Sequence, residues 1–197
     1  LKTGLQWLVH KRGLGSSNHF EVGAFLSLIS KSDHPDIQLE CIAMRGDFAP
    51  DGITISPGFQ CFASLQRPTS RGKLWIDSAD PFKPPKFRFH YLSTAQDKEL
   101  ALHTVRSIQE IFHQPAWRGR LTSELSGASS LNRKKDTARW LCSKVESNYH
   151  PCGTCSMGTS QDAVTDSEGR VHGLDNLRVV DASIIPVIPA GNLNAIT

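Results

Sequence analysis

The clearest structural signal lies in the middle of the chain, where residues 94–112 read TAQDKELALHTVRSIQEIF. Four apolar side chains recur there at helical spacing and predict a helix with one face in a core: Ala101, Val105, Ile108 and Phe112. Thr94 is the predicted N-cap, because Asp97 follows it at capping-box spacing, with Asp in place of the usual Glu. Pro115 is predicted to end the helix, since proline cannot continue its hydrogen bonding.

Segments upstream of this helix have the patterns of β-strands. Polar and apolar residues alternate in three segments, which predicts half-buried strands: residues 36–42, 73–77 and 87–91. Residues 20–29 and residues 59–65 are apolar and are also predicted strands. Residues 49–58 hold two prolines and two glycines, which predicts a loop. Residues 80–85 hold three prolines, which excludes a central strand.

Two more helices complete the predicted fold. Residues 3–9 have the pattern of a helix end, and a third helix follows the loop-like residues 119–135, with Asp136 or Thr137 as its N-cap. Its predicted inward-facing side chains are Trp140, Leu141 and Val145. The strands and helices together predict an α+β fold, an antiparallel sheet with helices packed on it. Beyond Tyr149, glycines alternate with short apolar runs, which predicts a tail that rejoins a different domain.

Charge and hydropathy argue against two classes of protein. The formal net charge is +3 and the longest basic run is Arg133-Lys134-Lys135, so no nucleic-acid partner is predicted. No apolar run approaches the ~20 residues that span a bilayer, so no transmembrane segment is predicted. The five cysteines, an odd number, do not make a secreted disulfide framework and favour a reducing compartment. The first residue is Leu1 and the last is Thr197, inside an apolar stretch, so we expect a fragment.

His150 is the first candidate catalytic residue. Pro151 holds its backbone extended, and an imidazole fixed in this way can take a proton from a substrate hydroxyl near neutral pH. A packed, hydrogen-bonded histidine is the simpler interpretation of the same residues, and spacing alone favours it.

The other candidate residues also have simpler structural interpretations. Cys152 and Cys155 form a Cys-x-x-Cys pair, which serves redox exchange or half of a zinc site. No second pair follows at zinc-site spacing, so two small buried cysteines are favoured and no metal is predicted. Asn192 and Asn194 carry amides that could hold an alcohol oxygen or simply form a turn. Asp181 could contact a cofactor hydroxyl or cap the next helix.

Taken together, these segments resemble the C-terminal signature of the glucose–methanol–choline (GMC) oxidoreductase family. Four segments carry the resemblance: residues 150–158 (HPCGTCSMG), 171–173 (VHG), 176–183 (NLRVVDAS) and 191–194 (GNLN). Upstream residues also fall in the family's order: Ser70-Arg71-Gly72, Asp80-Pro81, Tyr91 and Asp97. Residues 17–21 (SNHFE) and residues 191–195 (GNLNA) resemble the choline dehydrogenase branch.

The resemblance implies two parts with different roles. Residues 1–148 would be the substrate-binding domain, partial at its N-terminal edge. Residues 149–197 would be a truncated active-site and FAD-contacting segment that belongs to the FAD-binding domain. His150 matches the catalytic histidine beside the flavin, and Asn194 matches the second active-site residue. Contacts with FAD are implied for Asp181, Ala182, Asn192 and Asn194.

The implied reaction is oxidation of an alcohol to an aldehyde with hydride transfer to the flavin. Choline, oxidised to betaine aldehyde, is the small-molecule substrate expected for the choline dehydrogenase branch. Another primary alcohol, aryl or aliphatic, and a non-catalytic truncated fragment are the alternatives. The nucleotide-binding Gly-x-Gly-x-x-Gly is absent from these residues, so we expect the isolated chain to bind FAD poorly and to be inactive. The resemblance implies a bacterial cytoplasm or membrane surface, or a mitochondrion, and leaves the electron acceptor open.

Overall fold

A computed structural model of the chain describes residues 2–29, 33–49, 52–124, 126–128 and 131–197. The strands within these residues are β1 Phe20–Leu26, β2 Ile37–Ile42, β3 Arg45–Ala49, β4 Gly52–Ser56, β5 Gln60–Leu65, β6 Lys73–Trp75 and β7 Lys86–Arg88. The α-helices are α1 Lys2–His10, α2 Ala95–Phe112 and α3 Lys134–Lys144. The strand pairs are all antiparallel, which confirms the α+β prediction.

A three-stranded sheet in the order β1-β2-β5 holds the core. Strand β2 alternates as predicted, with Ile37 and Leu39 buried on one face and Gln38 and Glu40 on the other. Helix α2 covers the buried face, where Leu100 packs with the two β2 residues. Partly buried side chains surround this cluster: Ala24, Leu26, Leu28, Cys61, Leu65 and Ile108. Full burial of each large aliphatic side chain contributes about 1.5–3 kcal/mol.

Helix α2 begins and ends where the sequence predicts. Thr94 has an extended backbone, and its hydroxyl accepts a hydrogen bond from the Asp97 N–H at 3.2 Å. The helix ends at Phe112, with His113 as its C-cap, ahead of Pro115. The predicted inward face is confirmed by side chains that are buried or packed on the core: Ala101, Val105 and Ile108. Phe112 joins a small aromatic cluster at the end of the helix.

The prediction of a loop over residues 49–58 is wrong. Strands β3 and β4 pair in register as a hairpin, and their connection lies outside the described residues. Residues 53–55 (ITI) are all β-branched, and this strand preference outweighs the flanking glycines and prolines. Pro57 follows β4 rather than interrupting it, so no backbone donor is lost within the ladder.

The N-terminus of α3 also differs from the prediction. The N-cap is Arg133, so neither Asp136 nor Thr137 caps this helix. Asp136 lies in the first turn and accepts a hydrogen bond from the Arg133 guanidinium at 2.6 Å. Val145 was expected to face inward but is 39% exposed, because the helix has already ended and Val145 is its C-cap. The other two predicted inward residues are half-buried: Trp140 and Leu141.

Strands β6 and β7 form a second hairpin that is shorter than the sequence predicts. Their register pairs Lys73 with Arg88 and Trp75 with Lys86. Leu74 on β6 is 54% exposed, so this hairpin presents apolar surface outward. The proline-rich residues 80–85 lie between the strands, as expected of a segment that cannot be a central strand. No helix in the described part of the chain is long and apolar enough to cross a membrane.

Candidate active site

The backbone around His150 is fixed by its neighbours on both sides. Tyr149 has a φ of 60°, a left-handed conformation that costs a non-glycine residue roughly 1–2 kcal/mol. Gly153 has a φ of 87°, which favours glycine at this turn. Pro151 fixes a third backbone angle between them. His150 is half-buried, so part of the residue remains exposed to solvent.

The C-terminal tail returns to His150 through a short 3₁₀ helix, Leu193–Ala195. The Leu193 N–H lies 3.4 Å from His150 Nδ1, and the Leu193 side chain is only 2% exposed. Asn194 is the next residue and is exposed. The fold therefore brings the residue before Asn194 to His150, although the sequence separates Leu193 and His150 by 43 positions.

The contact with Leu193 bears on the protonation of the His150 ring. A neutral imidazole that accepts at Nδ1 carries its proton on Nε2, where it acts as a donor. A distance of 3.4 Å is longer than the usual 2.7–3.2 Å for such bonds, so the contact selects this tautomer only weakly. The contact therefore does not exclude the other tautomer, which has a free electron pair on Nε2.

Asp181 and Ala182 begin another 3₁₀ helix, Ala182–Ile184, which is tied to the segment after His150. Asp181 is the N-cap, and its Oδ1 accepts a hydrogen bond from the Ser183 N–H at 2.7 Å. Hydrogen bonds from Ser183 hold the pKa of Asp181 below its ordinary value. The Ser183 carbonyl in turn accepts from the Cys155 N–H at 3.0 Å. The structure thus shows the capping role for Asp181.

A loop held by α2 lies beside Cys152. Asp97 is 2% exposed and accepts hydrogen bonds from the Thr69 and Ser70 N–H groups at 2.9 and 2.8 Å. This clamp fixes Arg71, whose positive charge acts on the Cys152 thiol. Burial raises the pKa of Cys152, and Arg71 partly offsets that rise. Arg71 is therefore near enough to the segment that carries His150 for its charge to act on Cys152.

A row of polar side chains leads across the sheet to the tail, and sequence reasoning missed it. Gln66 donates to Gln38 at 3.3 Å, and Gln38 donates to Glu40 at 2.5 Å. The Asn192 amide approaches the same Glu40 oxygen at 3.5 Å. Strand alternation could have placed Gln38 and Glu40 on the face away from the core, but the sequence holds no signal for the partner in the tail.

The described residues contain no group of three or more His, Cys, Asp or Glu side chains that could hold a metal ion. Cys152 and Cys155 are both free and half-buried.

Comparison with known proteins agrees with this arrangement. A family model described as GMC oxidoreductase matches residues 68–197, which include the Ser-Arg-Gly loop, α2 and the whole tail. This chain belongs to the GMC oxidoreductase family. The family consists generally of flavoproteins, and the resemblance drawn from the sequence is confirmed at the level of the family.

Relatives within the GMC family extend the likeness over the entire chain. The chain is 41% identical to an oxygen-dependent choline dehydrogenase from Citrobacter koseri and 40% identical to one from Cronobacter sakazakii. Each comparison covers 100% of this chain and 35% of the relative. The chain thus spans about a third of the length of these relatives.

Solved structures of similar proteins support the fold of this GMC family member. A pyridoxine 4-oxidase from Mesorbium loti aligns over 90% of this chain and 35% of its own, with a TM-score of 0.74 and 28% identity. A fungal aryl-alcohol oxidase aligns over 82% of this chain and 25% of its own, with a TM-score of 0.58. At 24% identity, the second likeness concerns the fold alone.

Proposed function

We propose that this chain is the substrate side of an FAD-dependent alcohol dehydrogenase that oxidises choline to betaine aldehyde. The observation that supports the proposal is the return of the tail to His150, whose Nδ1 lies 3.4 Å from the N–H of Leu193, the residue before Asn194. Membership of the GMC family supports alcohol oxidation, and the relatives named choline dehydrogenase support the choice of alcohol.

His150 and Asn194 would act together on the substrate hydroxyl. His150 would take the hydroxyl proton on Nε2, and the Asn194 amide would donate a hydrogen bond to the oxygen left behind. This role requires the tautomer with the proton on Nδ1. The 3.4 Å contact from the Leu193 N–H to Nδ1 must therefore break when this tautomer forms. General-base help of this kind contributes on the order of 10²–10⁴ in rate.

Exposed apolar residues that neighbour the candidate site residues in sequence support a planar cofactor at this surface. Large apolar side chains next to the site residues are exposed, with Tyr149 at 81%, Val180 at 80% and Ile196 at 61%. The amide of Asn192 and the carboxylate of Asp181 would hold the polar edge and a sugar hydroxyl, and the backbone at Ala182 would lie against the same group. FAD bound there would supply the hydride acceptor.

The same geometry supports a division of roles along the chain. Residues 1–148 build the sheet whose polar face leads to Glu40, so we propose that this part holds the substrate. Residues 149–197 carry His150 and the proposed FAD contacts. Asn192 joins the two parts through its 3.5 Å approach to Glu40.

Glu40 supports a cationic alcohol as the substrate. Its carboxylate is half-buried and lies next to Asn192, which is two residues from Asn194. A carboxylate partly removed from water attracts a quaternary ammonium more strongly than an exposed one does. The 28% identity with a pyridoxine 4-oxidase favours another alcohol as the second candidate.

The test uses the protein with its complete native sequence, so that the cofactor site is whole. The flavin absorbance is recorded without oxygen while choline is added to the wild type, to His150→Ala and to His113→Ala. His113 is exposed at the end of α2, which makes it a matched control for loss of an imidazole. We expect choline to bleach the flavin, and the bleaching to slow by about two decades or more in His150→Ala alone.

Each other outcome corrects a defined part of the proposal. Flavin that stays oxidised with choline but bleaches with another alcohol keeps the oxidation and discards the substrate. Equal bleaching rates in wild type and His150→Ala discard the role of His150. A complete protein that binds no flavin discards the enzyme and leaves the non-catalytic alternative.

A further inference from the structure

Two cysteines outside the candidate active site lie directly opposite each other on neighbouring strands of the central sheet. Cys41 lies on β2 and Cys61 on β5, and the antiparallel register makes them direct partners. Both are half-buried free thiols on the side of the sheet that α2 covers, where Cys61 packs on the core. The two residues have no part in the proposed oxidation of alcohols.

The hydrogen-bond pattern of the sheet shows how close this pair is. The Gln66 N–H donates to the Asp36 carbonyl at 2.9 Å, so these opposite residues form a hydrogen-bonded pair. Hydrogen-bonded and non-bonded pairs alternate along an antiparallel ladder, and five steps on, Cys41 and Cys61 are a non-bonded pair. The Cα atoms of such pairs lie about 4.5 Å apart, within the range of roughly 4.4–6.8 Å that a disulfide spans.

The two thiols act on each other. Cys41 is near enough to influence the pKa of Cys61, and the Cys61 sulfur lies 3.9 Å from the Phe62 carbonyl. Burial raises the pKa of Cys61 to about 12, and the neighbouring Cys41 adds to that rise. Cys61 therefore stays protonated, which assigns the first attack on an oxidant to its partner, Cys41.

We propose that Cys41 and Cys61 form a modification site, a dithiol that hydrogen peroxide converts into a cross-strand disulfide. The inference is independent of the alcohol oxidation proposed above, because it rests on the sheet register, which makes Cys41 and Cys61 direct partners on one face of the sheet. Peroxide is the named oxidant, and it is small enough to reach half-buried sulfur atoms.

The chemistry balances as a two-electron oxidation. The Cys41 thiolate attacks one peroxide oxygen, the O–O bond breaks, and water leaves after taking up a proton, with a sulfenic acid on Cys41. The Cys61 sulfur then attacks the Cys41 sulfur, the S–O bond breaks, and the Cys61 proton goes to the departing hydroxide. Two thiols and one peroxide become one disulfide and two waters.

The experiment follows the two thiols in the protein with its complete native sequence. The protein is treated with hydrogen peroxide, its remaining thiols are alkylated before unfolding, and unreduced peptides are analysed by mass spectrometry. Cys142 is exposed, so its oxidation shows that the peroxide has acted. A Cys152→Ser/Cys155→Ser variant removes the other neighbouring pair, and a Cys61→Ser variant removes the resolving thiol.

We expect a Cys41–Cys61 linked peptide in the wild type and in the Cys152→Ser/Cys155→Ser variant. Its mass should be about two mass units below the sum of the two reduced peptides. Treatment with reductant should regenerate the two separate peptides. In Cys61→Ser, Cys41 should stop at the sulfenic acid. The inference is overturned if both cysteines remain open to alkylation after Cys142 is oxidised, or if Cys41 is linked to another cysteine. The wild-type peptide decides this even where a variant fails to fold.

Discussion

Glu40 brings a negative charge to the point where the sheet meets the tail. Gln38 holds one of its oxygens at 2.5 Å, and Asn192 approaches that oxygen at 3.5 Å. A carboxylate in this position is positioned by the protein before any ligand arrives, which lowers the entropic cost of binding a cation. Under the proposed function, Glu40 would distinguish a charged alcohol from a neutral one.

Replacement of Glu40 by glutamine tests this role. Glutamine keeps an acceptor for Gln38 but removes the charge, so the KM for choline should rise by roughly tenfold, the equivalent of about 1.4 kcal/mol. The KM for a neutral primary alcohol should stay the same. Steady-state kinetics with both alcohols provide the measurement, and Glu110→Gln, an exposed change on α2, is the control. An equal rise for both alcohols would indicate a structural defect instead.

The site residues differ in how far the sequence reveals them. His150 and Asn194 stand in a pattern whose spacing and order indicate a family, so they could be named without coordinates. Glu40 stands in an ordinary alternating strand, and its partner Asn192 is 152 residues away. A contact of that kind leaves no trace in local spacing, and only the folded chain shows it.

Among the secondary-structure elements, helix α2 connects the core to the candidate active site. Its first turn supplies Asp97, whose carboxylate accepts two N–H bonds from the preceding loop and a further bond from the Thr69 hydroxyl at 2.9 Å. Burial alone would raise the pKa of Asp97, but the bonds from Ser70 and Thr69 outweigh it and hold that pKa below its ordinary value. The clamp is therefore strongest when Asp97 is ionised.

An Asp97→Asn variant should lose about 1–3 kcal/mol of stability near neutral pH, because an amide group would face N–H donors. The pH dependence has a defined sign. A depressed folded pKa stabilises the protein above the unfolded value of about 3.9, and this contribution disappears as the pH falls through the lower folded value. Denaturant unfolding at a series of pH values should show this loss in the wild type and a flatter profile in the variant.

Glu99→Gln is the matched control for the clamp, since Glu99 is exposed and only two residues further along α2. It should keep both the stability at neutral pH and the acid-dependent loss. A variant at Asp97 that unfolds like the wild type at every pH would contradict the clamp.

The elements that the sequence predicted correctly have strong periodic signals. α2 combines a cap, a core face and a terminating proline, while β2 alternates cleanly. The sequence does not clearly predict the β3–β4 hairpin, because its glycines and prolines are typical of a loop whereas the β-branched residues 53–55 favour a strand. The start of α3 was missed because Arg133 caps it without a side-chain hydrogen bond, which no capping rule anticipates.

The whole molecule is divided between a region with a regular sheet and helix and a tail with little regular structure. Residues 37–65 and α2 carry the core, whereas residues 149–197 are joined by isolated bridges, such as Met157 to Thr165, and short 3₁₀ helices. Large exposed apolar side chains such as Trp75 and Phe87 are typical of surfaces that contact further protein or a cofactor.

Hydrogen exchange on the complete protein, with FAD removed and then restored, tests this division. FAD should slow amide exchange in residues 149–197 and leave the amides of β2, β5 and α2 almost unchanged. The core amides serve as the internal reference, since they open only with large-scale unfolding. Equal slowing in both regions, or none in the tail, would contradict the proposed roles of residues 1–148 and 149–197.

The contact between His150 and Leu193 joins residues 43 positions apart, which has a consequence during translation. Ribosomes add roughly 5–20 residues per second, so His150 is synthesised about 2–9 seconds before the residue that completes its surroundings. The strands and α2 are synthesised earlier still. A message that ends between these two codons would therefore yield a polypeptide with its core elements and the histidine, but without the partner that closes the site.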